Sequence, residues 1–415
     1  MRFVSTWTGR LGDAVGMPWV RTVAVLSIAQ VVSELAFSFA LPFTPLYIQE
    51  LGVPDATEAG LWAGFMAGVF AVAMGGMAPV WGVLADRYGH RRMIQRAFFG
   101  AGAAIAGMAL AQTPEQLLIL RILHGALTGV VTAMATLVSL TAPRQYLATS
   151  LGLMQAAVFL GISLGPLLGG AFADRFGLRA SFGATGAILC TTGLLVTLLV
   201  REPAREKPRI GKEAAVAGSR DRLVSRELFA VVSLMAIVRF ATMAPQPVLP
   251  LFVQQLVDTP EGLGTTVGVV LAATGIASTV SALLVGRLTD RHGQRATLLA
   301  CFALAAALSP LHYLIGSVWH LVLLRTAMGL ALGGTGPAIQ ALLIDVTPAG
   351  RRGAAFGLLT TANALGNGGG PVVGSVVAAG YGVPAVFVAT MPTYAIAGWV
   401  LGRLRPQAAR DVEDR

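Results

Sequence analysis

The sequence predicts an all-α membrane protein of twelve transmembrane helices arranged as two pseudo-symmetric six-helix bundles. Three observations predict it. Charged residues are scarce, the apolar residues come in blocks long enough to cross a bilayer, and the second half of the chain repeats the first at a nearly fixed offset.

Of the 415 residues, 55% are hydrophobic and 12% charged. A soluble domain carries about 25% charged residues, and half that fraction cannot wet the surface of a chain this long. Blocks such as Gly60 to Leu84 and Leu117 to Leu140 exceed the roughly 20 apolar residues that a helix needs to span hydrocarbon. The spans run at about 22–50, 58–84, 92–112, 115–140, 147–172, 180–200, 228–256, 262–286, 296–316, 319–346, 352–378 and 384–403. An even number of crossings puts both termini on one side.

The net charge of +10 reports topology and not a polyanionic partner. Outside the spans, only Arg175 and Arg179 fall on the far side. Basic loops mark the cytoplasmic face of a membrane protein. The expectation is a cytoplasmic (inner) membrane protein with both termini cytoplasmic and no nucleic-acid partner. Arg2, Arg10 and Arg21 precede a full-length span, so no cleavable signal peptide is expected. The two cysteines, Cys190 and Cys301, lie in apolar segments and read as small buried hydrophobes. Neither a metal nor a cofactor is expected.

The polar stretch from Arg201 to Glu227 is too polar to span and too short for a domain. It divides the chain into an N-terminal bundle (1–200), a cytoplasmic linker (201–227) and a C-terminal bundle (228–415). Across it the halves match. Pro42, Pro45, Leu46, Gln49 and Leu51 recur 205 residues later as Pro247, Pro250, Leu251, Gln254 and Leu256. Gly82, Leu84, Asp86, Arg87, Gly89 and Arg91 recur at an offset of 204 as Gly286, Leu288, Asp290, Arg291, Gly293 and Arg295. Arg121 and Gly125 recur as Arg325 and Gly329, and Gly161, Gly165, Pro166 and Gly169 as Gly366, Gly370, Pro371 and Gly374. Two similar bundles can rock about a site at their interface.

These residues carry a resemblance. The loop Gly82-Val-Leu-Ala-Asp-Arg-Tyr-Gly-His-Arg-Arg92 is similar to the signature between spans 2 and 3 of the major facilitator superfamily. The stretch Gly161-Ile-Ser-Leu-Gly-Pro-Leu-Leu-Gly-Gly170 resembles the fifth-span motif of drug:proton antiporters. Leu41 to Tyr47 resembles the first-span motif of the twelve-span group, and Leu120 to Gly125 the fourth-span Arg motif. Among subgroups the likeness is to MdtG-like multidrug efflux transporters. The resemblance implies a non-enzymatic, monomeric exporter of lipophilic small molecules that is driven by protons. It also implies that Asp86 faces the start of span 11 in a latch, with Gly82, Arg87, Gly89 and Arg91, and with Asp290 and Arg295 in the repeat. His90 and Gln294 depart from the pattern, as does Leu140 where the acid Asp345 stands in span 10.

Glycines in Gly161-x-x-x-Gly165-Pro166-x-x-Gly169-Gly170 let another helix approach, and a proline that removes a backbone hydrogen bond makes the contact bendable. An ordinary packing seam would use the same residues. Gly161-x-Ser163-x-Gly165 also spells a hydrolase elbow, but that elbow needs a strand-turn-helix setting. No P-loop or zinc-protease motif is present, so the energy source is a gradient.

Ionisable residues within spans are the sharpest functional pointers. Each costs about 2.5–3.5 kcal/mol at a helix centre and so faces a partner or a wet cavity. Glu34 lies on a stripe with Gln30 and Ser38, and its repeat-equivalent is Arg239. Those positions face each other across the pseudo-two-fold axis. The expectation is that Glu34 exchanges the proton or recognises a cation, with Arg239 modulating it; a permanent salt bridge is the alternative. Arg121 is followed at i+3 by His124, a side chain that titrates near neutral pH. Arg325 has Met328 at that place and reads as structural. Met66, Phe70, Met74 and Met77 on span 2, with Thr360, Thr361, Asn363 and Asn367 on span 11, suit an adaptable pocket. The rivals are an uptake symporter or facilitator for sugars or metabolites, a lipid or lysophospholipid transporter, and a non-transporting scaffold.

Overall fold

The computed structural model describes residues 17–200, 225–348 and 351–404. Most of the expected linker and the tail beyond Leu404 lie outside the described residues. In the first half, α1 (Pro18–Ala40) and α2 (Thr44–Glu50) are joined by a 3-10 turn at Leu41–Phe43. Then come α3 (Ala56–Tyr88), α4 (His90–Met108), α5 (Pro114–Leu127), α6 (Val130–Thr141), α7 (Leu147–Phe176) and α8 (Leu178–Leu199). The second half holds α9 (Arg226–Met243), α10 (Leu249–Leu256), α11 (Leu263–His292) and α12 (Gln294–Leu308). It ends with α13 (Val318–Leu332), α14 (Thr335–Val346), α15 (Arg352–Tyr381) and α16 (Val383–Gly402).

Four hairpin junctions repeat one backbone solution. Gly89, Gly177, Gly293 and Gly382 have φ of 101°, 85°, 82° and 86°, with ψ between 146° and 161°. Only glycine enters that region without strain, so each pair of helices turns on a single residue.

Among the described residues, nine helices, counted with their broken continuations, are long and apolar enough to cross a membrane. The three other sequence segments are also helical, but more polar. α4 opens on His90, Arg91 and Arg92 and carries Arg96. α9 holds Arg226, Glu227 and Arg239 and is separated from α10 by a turn at 244–248. α15 carries Thr360, Thr361, Asn363, Asn367 and a run of glycines.

Packing follows the repeat. α1 lies along α7 and α9 along α15; α3 meets α5 and α11 meets α13; α4 meets α8 and α12 meets α16. The halves meet along two further seams, α7 with α11 and α3 with α15. Lipid gives no hydrophobic drive for helix association, so close van der Waals contact must supply it. A Cβ built on Gly161 would stand 2.5 Å from Glu34 Cβ, and one on Gly366 would stand 2.6 Å from Arg239 Cβ. Gly165 and Gly370 likewise receive Ser38 and Met243, and Gly169 and Gly374 touch the backbones of Phe39 and Ala244. Each partner pair differs by the same 205 residues. Both motif helices run unbroken through Pro166 and Pro371. The prolines therefore do not break the helices as their chemistry allows, and the glycines act here as a packing ladder.

The cross-half seams close at one end only. On α3, Gly64 and Gly68 abut Ser375 and Val372 of α15, and Gly60 abuts Leu251 of α10. On α11, Gly264, Gly268 and Gly275 abut Asp174, Pro166 and Ser163 of α7. Further toward the basic end, a Cβ at Gly75, Gly76, Gly82, Gly152, Gly286 or Gly357 would meet no described atom within 4 Å. Among the described residues, the seams are shut at the end bearing Arg175 and Arg179 and splayed at the basic end.

The fourth segment is broken between α5 and α6 at Thr128 and Gly129, where Gly129 has φ 120°. A break frees carbonyls that hydrocarbon cannot satisfy. Trp81 Nε1 donates to Ala126 O at 2.7 Å, and Arg96 donates to Leu127 O at 3.0 Å and Thr128 O at 3.3 Å. The Arg96 guanidinium lies 3.6 Å from the Trp81 ring centroid. The repeat uses other residues: Ser281 Oγ donates to Leu330 O at 2.7 Å and accepts from Gly334 N–H at 3.1 Å, at the break between α13 and α14.

Substitutions at three positions test the glycine contacts and the helix break. Gly169→Ala should lower thermal stability in detergent, because overpacking costs about 1–3 kcal/mol. Gly75→Ala should leave stability unchanged or raise it by up to about 1 kcal/mol through helix propensity; fluorescence-detected thermal unfolding distinguishes the two signs. Arg96→Ala should destabilise by about 1–3 kcal/mol, since it strands two carbonyls, and Arg96→Lys should restore only part, because a lysine cannot fork.

Candidate functional site

The residues singled out by charge lie on α1, α5, α9 and α13 and are buried or half-buried there. Glu34, on α1, is buried and accepts from Gln30 Nε2 at 3.0 Å, four residues back on the same helix face. Its Cβ rests on Gly161. Arg239, on α9, rests on Gly366 and donates its Nε to Asn363 Oδ1 of α15 at 2.6 Å. The pseudo-symmetric positions thus have equivalent seats but different partners. Among the described residues, no ion pair joins Glu34 to Arg239, and each is bonded within its own half.

Arg121 and His124, one turn before the break in the fourth segment, form a pair. Arg121 Nη1 donates to His124 Nδ1 at 3.2 Å, so the ring carries its proton on Nε2. That Nε2 is buried with no protein partner. The imidazole is held between Phe37 and Phe70, with ring centroids 5.6 and 4.8 Å away. The Arg121 guanidinium also lies 4.7 Å from the Phe70 centroid. Phe70 therefore belongs to the polar cluster as much as to an apolar pocket. Met66 is fully buried in the core, while Met74 and Met77 are half-buried toward the splayed end.

Arg325 has a companion that its own helix does not provide. It is buried on α13, with its guanidinium 5.9 Å from the Phe387 ring centroid. His312 stacks on that same phenyl ring at 4.1 Å and 5°. His312 Nδ1 bonds Ser309 O at 3.0 Å, and its buried Nε2 has no protein partner. Both halves thus bury an arginine and a histidine around phenylalanine. An i+3 search along span 10 cannot find His312, which comes from the end of the ninth segment. The signal was its own insertion cost.

The loop motifs anchor the basic end. Arg91 donates to the Thr197 carbonyl at the end of α8, and Arg295 to the Gly402 carbonyl at the end of α16. These are repeat-equivalent contacts of a cation with a helix C-terminus, where the dipole favours it. Gln294 Nε2 donates to Asp345 at 2.9 Å. Asp86, Arg87 and Asp290 are exposed, beside the open face of Gly82. On α15, Thr360 and Thr361 are exposed, and the Asn367 side-chain carbonyl is buried without a protein partner. Gly170 faces α11, not α1, and meets the backbone of Gly264.

The arrangement is a bundle with ionisable groups buried or half-buried on its apolar helices and, among the described residues, an opening at one end, which is the geometry of a carrier. Comparison with known proteins agrees. A model of the Major Facilitator Superfamily matches residues 26–263 and 234–414. The multidrug resistance protein MdtG of Enterobacter lignolyticus (strain SCF1) is 32% identical over 375 residues, covering 90% of this chain and 89% of that protein. MdtG of Salmonella paratyphi A (strain ATCC 9150 / SARB42) is 31% identical, covering 90% and 92%. In fold, the chain is similar to a bacterial homologue of the human lysosomal transporter Spinster, crystallised inward-facing and occupied. That TM-score is 0.76 at 14% identity, covering 92% of this chain and 95% of that one. With a family model spanning both halves and full-length relatives above 30% identity, the chain belongs to the major facilitator superfamily and is an MdtG-like membrane transporter, not an enzyme.

Proposed function

We propose that the protein exports lipophilic small molecules across the bacterial inner membrane in exchange for protons, acting as a monomer by alternating access. In this reading residues 1–200 and 228–415 are the two moving units, joined by a cytoplasmic linker at 201–227. The basic end and both termini face the cytoplasm, as the loop charges favour. The splayed end is then open to the interior. The observation that carries the reading is the buried Glu34–Gln30 pair on α1, seated on the glycine ladder of α7. A lone carboxylate among helices is costly unless it is used, and it stands where α1 and α7 must move together. The names of the curated relatives supply the substrate class.

Protons enter from outside as substrate leaves, and Glu34 is the group that exchanges them. His124, held by Arg121, and Arg239, held by Asn363, tune its surroundings. The second reading, an uptake symporter for polar metabolites, is favoured by the Arg239–Asn363 pair, because paired polar groups suit a hydroxylated substrate. Everted vesicles with an imposed pH gradient and a panel of dyes and antibiotics separate the two. Antiport predicts substrate-evoked proton release from the vesicle lumen. Uptake driven by an inward gradient in whole cells would favour the symporter. Glu34→Gln should lower proton-coupled efflux by about a hundredfold or more, the size expected from losing one proton-transferring group. Intact coupling in that variant overturns the role. His124→Gln should retain export and change its pH profile.

A further inference from the structure

Asp174 lies in the last turn of α7, at the shut end of the molecule. Its carboxylate crosses the seam to the first turn of α11. Oδ1 accepts from Gly264 N–H at 2.8 Å, and Oδ2 accepts from Thr265 N–H at 2.7 Å and from the Thr265 hydroxyl at 2.5 Å. The first N–H groups of a helix have no partner within it and carry partial positive charge. α11 cannot satisfy them itself. Its N-cap is Gly262, in the left-handed region at φ 73°, with no side chain to offer. The cap of a helix in the second half is therefore a carboxylate from the first.

The other seam is built differently. α3 carries its own cap, since Asp55 Oδ1 accepts from Glu58 N–H at 2.8 Å. The repeat-equivalent of Asp174 is Ala379, and that seam closes through Gly64 against Ser375. Near the axis, Gln254 Nε2 donates to Gln49 Oε1 at 3.1 Å, a neutral contact between repeat-equivalent residues. Of these cross-half contacts at the shut end, the Asp174 bonds are the charged ones. They break together if α7 and α11 separate, and leave the first turn of α11 uncapped.

We propose that Asp174 is the latch of the shut face: the charged contact that holds it closed and must release each time the transporter opens there. The proposal rests on the alternating-access reading. It gives this end a carboxylate-on-helix latch of the kind that the family resemblance implies for Asp86 at the basic end.

The test is a distance measurement by pulsed electron paramagnetic resonance, without substrate or gradient, on protein with Cys190 and Cys301 replaced by alanine. Spin labels at Thr57 and Tyr381 report the shut end, and labels at Tyr88 and Phe356 the basic end. The parent should give a short distance at the shut end and a long one at the basic end. Asp174→Ala and Asp174→Asn should add a population with the two distances reversed, raising the open-to-shut ratio by about tenfold. Thr265→Val keeps both N–H bonds and should shift it less. Should the Asp174 variants not fold, Thr265→Pro removes one N–H and the hydroxyl while leaving the carboxylate, and should shift the ratio the same way. Distributions that superimpose on the parent in every folded variant overturn the latch. Failure of drug–proton exchange in vesicles would overturn the antiport reading and leave this result standing.

Discussion

The close approach of helix backbones through glycine is the constraint on which the rest of this structure depends. A bilayer rewards burial of apolar surface no more inside the protein than at its edge, so helices hold together only where they touch closely. α7 and α15 provide that contact with three glycines each, and α1 and α9 lie in the resulting grooves. The same ladders place Glu34 and Arg239, because the Cβ atoms of both rest on a glycine. A side chain at Gly161 or Gly366 would push the ionisable residue off its seat. Packing and chemistry are therefore set by one feature.

A second constraint is that every backbone group at membrane depth must find a partner. The breaks in the fourth and tenth segments meet it by unrelated means, an arginine–tryptophan stack in one half and a serine in the other. The geometry of the repeat is kept while the chemistry diverges. At these breaks the first half carries the more strongly charged solution, as it does at Asp174, whereas at the end of the tenth segment the acid Asp345 belongs to the second half and Leu140 to the first.

The architecture was legible in the sequence because it rests on period and offset. Apolar blocks located the helices, and the offsets of 204 and 205 paired them. The three more polar segments show the limit of hydropathy. α15 reads as polar because Gly366, Gly370 and Gly374 pack against α9, Asn363 accepts from Arg239, and Thr360 and Thr361 are exposed, while the matched offset still identifies it. At the candidate site, Glu34, Arg121, His124 and Arg239 were visible as charges that apolar segments cannot carry freely. Their partners were only partly visible. Gln30 and His124 sit one helical turn from the residues they bond, whereas Asn363 and the Trp81–Arg96 pair bond across the bundle and His312 stacks across it on Phe387. Symmetry placed Glu34 opposite Arg239, but a pseudo-two-fold axis relates backbones and does not dictate which side chains bond. Asp174 was missed because its value depends on an uncapped helix ninety residues away.

The matched arginines at the basic end bear on how the chain leaves each half. Arg91 and Arg295 bond the last carbonyls of α8 and α16, the two points beyond which the polypeptide departs into the interdomain segment and the tail. Each exit is thereby pinned to the start of a neighbouring helix, α4 or α12. A pull on the tail, or the drag of a protein fused after Leu404, is borne by that anchor and by the contacts of α16 with α12, α9 and α15. Because Leu401 and Leu404 share a core with Leu228, Val231 and Leu234 of α9, the C-terminal exit moves with the second bundle, and a reporter placed there follows that bundle as a unit.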